Sequence, residues 1–461
     1  MGSEAAWTAS KLAEWIAAPD TPSLPTATRR KAEDLVVDLL GSALAGFDNP
    51  AARAARATAC DLFAAGPSHI WFSSGRQSPA AAAFQNSAAA CALDLDDGHR
   101  IASGHPGAAV IPAVIAQAET SEHTVDELLA AIAIGYEVGV RAAAAQCDRL
   151  QRREFASGRW APLAVAASVG FLRHCNPAVL AQALAIAAAH RPALIPSGAS
   201  RTLGHVKEGI PWGTLTGFVA VELAEHGLAA SLDVLDIPAL FDGDAIVDRL
   251  GSARLAIDGA YIKPYSCCRW IHAPVDALQL IMSSHHLKAQ QVSSLVVQTI
   301  GPAARLHNAR NPQTPHEAQF SVPYCMAVAA IDGPDALLLP DPGALGRPDL
   351  IAFASKVVVE IDPELDAQFP ARTPARVLVK SSQGDYSSLV EYPRGDFANP
   401  MSRDEVFGKF ERIARHTLDP QAASSLMATV FDIPQQGLGP LLRAVSLAGI
   451  ARSAALAARA Q

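Results

Sequence analysis

The sequence predicts a mainly α-helical protein with an inserted α+β segment. Apolar residues recur at helical spacing almost without a break from about residue 10 to about 260, and again from Arg403 onward. Between these stretches lie short β-branched runs and a turn signal, SSQGD at 381–385. Half of the 461 residues are hydrophobic and 18% are charged, so large cores can form without a metal or disulfide staple.

In chain order, 31–47 (KAEDLVVDLLGSALAGF), 125–145, 163–172, 177–190 and 213–226 each carry apolar residues at helical spacing. Several are apolar nearly all round, which predicts buried helices of a bundle, and their many Ala and Gly residues permit close approach. Near 260 the pattern changes. VSSLVVQTI (292–300), KVVVEI (356–361) and ARVLVK (375–380) read as strands, and YSSLVEY (386–392) as a strand returning after the turn. Helical stretches at 273–284 and 319–332 lie among them. After YPRGDFANP the helical pattern resumes behind a capping box formed by Ser402 and Glu405. The expected architecture is therefore a large all-α helical domain built from both chain ends, 1–260 and 397–461, with 261–396 as a smaller α+β domain inserted in it.

The formal net charge of −8 argues against a nucleic-acid partner and gives no general attraction to anionic membranes. No stretch reaches the length of about 18 uncharged apolar residues that a membrane span requires. Seven cysteines without a CxxC pair, and an N-terminus lacking a basic start and an apolar core, lead to the expectation of a cytoplasmic protein with reduced thiols.

Chemistry concentrates in DLDDGHRIASGHPGAAVIP, residues 94–112. Asp94, Asp96 and Asp97 stand close to His99 and His105, and acids beside imidazoles can move protons near neutral pH. Asp94 and Asp97 would share a helix face if the preceding helix reached that far. The read-out against a calcium loop is clear, since the acids sit at offsets 0, 2 and 3 and the twelfth position is His105. Four further stretches carry polar groups. FASGRWAP (155–162) offers Arg159, which suits a carboxylate. TLGHVKEGIPWGTLTG (202–217) places His205 and Lys207 before a helix start. YIKPYSCCRWIH (261–272) gathers Lys263, Arg269 and His272 at the domain boundary, where clefts form, with Cys267 and Cys268 read as packing residues. The last, QFSVPYCMAVAAIDG (319–333), is apolar apart from its start, near His316, Gln319 and Ser321.

These stretches, in this order, resemble the MmgE/PrpD family, which includes 2-methylcitrate dehydratase, cis-aconitate decarboxylase and iminodisuccinate epimerase. The resemblance rests on ALDLDDGHRIASGHPGAAVIPA, KPYSCCRWIH, QFSVPY and YPRGDFANPMSRDEVFGKF, and covers nearly the whole chain. It implies an all-α domain with an α+β lid, a homodimer, and a site between the domains acting on small di- or tricarboxylates with no metal and no cofactor. It also implies functional roles for Asp94, His105, Lys207 and Lys263, with His272 on the boundary-motif histidine. Two positions depart from the family pattern. Gly98 stands where a threonine is usual, and Phe155 or Ala156 where a histidine is usual.

The resulting expectation is a hydro-lyase working on a small polycarboxylate. Asp94 or His105 would take the proton α to a carboxylate, and Lys207 and Lys263 would steady the enolate charge. Arg159, Arg269, His272, His205 and Gly98 would line the substrate. Decarboxylation and epimerisation share the enolate step and stay open. A non-catalytic carboxylate binder and a metal-dependent hydrolase are the readings from other classes.

Overall fold

A computed structural model describes residues 6–18, 24–147, 156–194, 204–252, 254–430, 440–446 and 448. The chain is mainly helical with small sheets. Its predicted helices appear at Thr26–Gly46, Val125–Ala144, Ala161–Leu172, Pro177–Ala189 and Ile210–Glu225. Starts are set by local chemistry: Thr124 and Glu127 form a full capping box, and Asn176 accepts from the Val179 amide. Gly107–Ala118 is buried along its whole length, as its unbroken apolar sequence requires. Helices Val125–Ala144 and Ala161–Leu172 approach closely because Gly139 has no side chain; a β-carbon there would come within 2.8 Å of Ala164 Cβ.

A second apolar core forms around a four-stranded sheet. Val357–Ile361, Val292–Thr299, Ala375–Ser381 and Gly384–Val390 lie in that order, the first pair parallel and the others antiparallel. Leu295 and Val297 alternate inward with Val377 and Val379 and pack with Leu278 and Met326 of the helices His272–Ser284 and Val322–Ile331. One expected helix differs. The 319–332 run is broken into Pro315–Gln319 and Val322–Ile331, because Ser321 caps the second piece by accepting from the Tyr324 amide. The returning strand also begins earlier than its apolar residues suggest, since Ser381 already pairs with Gly384 across a tight turn.

The Ser402–Glu405 capping box is formed, and the helix that it starts, Arg403–Thr417, lies on Thr26–Gly46. Val406, Phe410 and Ile413 join the first core. Between these helices Lys409 Nζ meets Asp38 Oδ1 at 2.6 Å, both fully buried, and also donates to Leu95 O at 3.0 Å. Burial pushes the Asp38 carboxyl up and the Lys409 ammonium down, and each partner opposes the other's shift. Among the described residues, no helix is long and apolar enough to cross a membrane, and all seven cysteines are free thiols.

Removing one member of this pair leaves a buried charge unmatched, which typically costs about 3–5 kcal/mol. Lys409→Ala is expected to lower the denaturation midpoint by that order, and Asp38→Asn with Lys409→Met to recover much of the loss, as read by chemical denaturation.

Candidate active site

The 94–112 stretch crosses the interior between two buried helices. Pro79–Cys91 ends well before the acids, so Asp94 and Asp97 do not share a helix face. Asp94 instead takes φ 54°, in the left-handed region that aspartate tolerates better than most residues. Gly98–His99 then pairs antiparallel with Ala260–Tyr261, which brings Lys263 alongside Asp94. A bridge between His99 and Gly104 closes the turn, and the His105 amide donates to Ser157 Oγ at 2.9 Å.

His105 is the centre of the resulting cluster. Its Nδ1 donates to Asp97 O at 2.8 Å, and Asp96 Oδ2 lies 3.2 Å from the same nitrogen. Nε2 faces Asp94 Oδ1 at 3.4 Å and Glu208 Oε1 at 3.7 Å. Burial disfavours the imidazolium, but Asp96 and Glu208 outweigh it and push the His105 pKa up to about 10. Lys263, fully buried, meets Asp94 Oδ1 at 3.1 Å. Burial favours the neutral Asp94 carboxyl, yet Lys263, His105 and Lys207 hold its pKa below the ordinary carboxylate value. Asp97 behaves differently: burial raises it to about 7 even though Tyr136 OH donates to its Oδ2 at 2.7 Å. The carboxyls of Asp94 and Asp97, three residues apart, are thus shifted in opposite directions.

The cluster forms the floor of a cavity of about 380 Å³. Lys207, at φ 46°, reaches across it and donates to Cys91 O, Ala92 O and Gln319 Oε1 at 3.2, 3.1 and 2.8 Å. Gln319 comes from the segment leading into the second core, so the cavity lies where the two cores meet. Glu208 is fixed by the Ser157 hydroxyl, which donates to its Oε2, and by the Ser157 amide at 3.1 Å.

Of the residues singled out in the sequence, Asp94, His105, Lys207 and His205 line this cavity. Lys263 stands behind Asp94. Arg159, Arg269, His272 and Gly98 are not among the lining residues. Arg269 turns instead to Asp396 Oδ2 at 3.2 Å and to His272 Nδ1 at 3.3 Å, while His272 Nε2 donates to Cys267 O at 3.2 Å. This makes the pair a clamp between the boundary motif and the 393–396 turn. Burial drives His272 well toward the neutral ring. Gly98 is filled by Tyr261, whose hydroxyl and ring occupy the place of any β-carbon at 98. Phe155 lies outside the described residues, and Ala156 does not line the cavity. Sequence reasoning gave Asp96 no role of its own and missed Glu208. Glu208 offered no signal beyond its place next to Lys207.

Asp94, Asp96 and His105 are also the kind of donor set that can hold a divalent ion, their ligand atoms lying within 4.8 Å of one another. A cation there would have to displace Lys263 from Asp94 and the imidazolium proton from His105.

Two apolar cores meet over a buried cluster of acids, an imidazole and ammonium groups in a mainly helical protein. The chain belongs to the MmgE/PrpD family: the N-terminal domain model of the family matches residues 10–243 and the C-terminal domain model residues 265–433. It is 24% identical to a cis-aconitate decarboxylase of Aspergillus terreus over 94% of each chain. It is also 24% identical to the human cis-aconitate decarboxylase, over 77% of this chain and 76% of the human one. A cis-aconitate decarboxylase-like protein of Aspergillus oryzae matches at 21% over 92% of this chain and 94% of its own length.

Gly98 and Tyr261 form a matched pair, so a threonine at 98 cannot be added alone. Gly98→Thr is expected to destabilise the protein by about 1–3 kcal/mol through overpacking. With Tyr261→Ala in the same chain the combined loss should fall short of the sum of the two single losses, in a double-mutant cycle of denaturation midpoints.

Proposed function

We propose that this protein is a cofactor-independent lyase that removes water from a small di- or tricarboxylic acid. The observation that carries the reading is the buried His105 ring, held between Asp94 and Asp96 on the cavity floor, where Asp96 and Glu208 raise its pKa. A substrate carboxylate would take the Lys207 ammonium, replacing Gln319 Oε1 there. Asp94 accepts the proton from the carbon α to a carboxylate. The C–H electron pair moves into the new double bond, and the C–O bond breaks. His105 gives its Nε2 proton to the departing hydroxyl, which leaves as water. Asp94 then holds one proton too many and His105 one too few, and their 3.4 Å contact lets the proton return.

Asp94 is a weak base, because Lys263 and His105 hold its pKa low. This favours one second reading, decarboxylation, in which no base is needed. The C–C bond to a carboxylate breaks, carbon dioxide departs, His105 protonates the carbon that retains the electrons, and the ring regains its proton from solvent. The names of the relatives support that alternative. The same reading takes 261–396 as a lid domain over an all-α domain made of 1–260 and 397–461. It takes the working unit as a homodimer, as the family resemblance implies.

The test is a screen of small di- and tricarboxylates by thermal shift, followed by NMR of the best binder with enzyme in deuterated water. Asp94→Asn and His105→Ala are each expected to lower turnover by about 10²-fold or more, the scale of general acid–base catalysis. Release of water or of carbon dioxide separates the two readings. Solvent exchange without net change would replace both by an epimerase, and binding without any turnover would contradict them.

A further inference from the structure

The floor and the walls of the cavity differ in chemistry. Its floor holds three carboxylates, Asp94, Asp96 and Glu208, facing His105 and Lys207, with Lys263 paired to Asp94 from behind. Among the described residues the charges are therefore matched before any substrate enters. Lys207 has an acceptor for each of its three N–H donors, two of them fixed main-chain carbonyls, Cys91 O and Ala92 O. Only Gln319 Oε1 is a side-chain acceptor that can swing aside. The floor thus offers one ammonium, Lys207, to an incoming carboxylate, and a further negative charge on the floor would face Asp94, Asp96 and Glu208 with no second lysine or arginine among the described lining residues.

The walls are apolar. Phe84, Ile210, Pro211, Trp212 and Phe320 line them. Trp212 is 58% exposed and Val206 73% exposed, which puts large apolar side chains at the mouth in contact with water. His316, next to Phe320 at a ring distance of 5.2 Å, adds no charge, because burial and then Lys207 lower its pKa to about 3. A second carboxylate lying along the apolar walls would lose its water and find no second ammonium or guanidinium among the described lining residues, only polar side chains such as Asn49 and His205, whereas an apolar group would be covered on several sides.

We infer that the substrate is an acid with an apolar branch: one carboxylate sits on the Lys207 and His105 floor while an alkyl or aryl group lies against Trp212 and Phe320. The inference rests on the reading of this cavity as the site of a carboxylate lyase and narrows its substrate class. It points away from compact tricarboxylates and toward branched hydroxy acids with at most one further carboxylate near the mouth.

Calorimetry on the full chain with malate, 3-isopropylmalate, 3-benzylmalate and citrate tests it. The isopropyl and benzyl compounds are expected to bind at least about tenfold tighter than malate and citrate, the gain that burial of a few methylene groups gives. Trp212→Ala and Phe320→Ala are each expected to shrink the ratio between benzylmalate and malate, with circular dichroism confirming that the variants are folded. Malate or citrate binding as tightly as the branched acids, an unchanged ratio in both variants, or no binding by any of the four would overturn the inference. Turnover followed by NMR separates it from the reaction. Tight binding of branched acids with no turnover supports the inference and contradicts the lyase reading. Turnover of citrate without a branched-acid preference contradicts the inference alone.

Discussion

The site depends on one interaction, the burial of a protonated imidazole between two carboxylates. His105 is held toward its charged form in the interior because Asp96 stands at one ring nitrogen and Glu208 faces the other, where Asp94 also lies. Asp94 in turn remains charged because Lys263 meets it from behind. Removing any one of these groups leaves an unmatched charge where water cannot repair it. The left-handed turn at Asp94, the short pairing of Gly98–His99 with Ala260–Tyr261, and the Ser157 contact all hold this set in register. The fold around the site supplies the low dielectric that makes each of these contacts strong.

Much of this was legible in the sequence because it is local. The helices and strands follow from apolar periodicity, and the capping boxes at Thr124 and Ser402 follow from residues three apart. The acids and His105 lie in one short stretch, so their proximity needed no knowledge of the fold. What was hidden depends on contacts between distant segments. Glu208 enters the cluster through Ser157, Gln319 reaches Lys207 from the other core, and Gly98 is explained only by the Tyr261 ring packed on it. Arg269 and His272 illustrate the opposite error. Their residue types suit a substrate site, but Asp396 and the Cys267 carbonyl take up their hydrogen-bonding groups. The split of the 319–332 run was hidden for another reason: a serine inside an apolar pattern is silent until its hydroxyl is seen capping a helix.

The two apolar cores give the site its position and also its asymmetry. The first core brings the floor residues together, while His316, Gln319 and Phe320 come from the segment that leads into the second. Lys207 joins them, since its ammonium holds carbonyls at the end of the Pro79–Cys91 helix and the Gln319 side chain at once. A ligand that draws Gln319 away from Lys207 would loosen that link, so binding at the floor and the relation of the two cores are coupled through one side chain. Gly98, packed against the Tyr261 ring, lies outside the charged set of the floor.

The charge state of His105 is the point on which the account stands. Its pKa is raised in the folded protein, so its stabilising contribution is complete below the ordinary histidine value of about 6.5 and is lost as pH rises toward about 10. The direct measurement is an NMR titration of the His105 ring carbon in labelled protein, assigned by comparison with His105→Gln. The account predicts an imidazolium that persists through neutral pH and titrates near 10. A ring that is neutral at pH 7 and titrates near about 6.5, as a free histidine does, would contradict it.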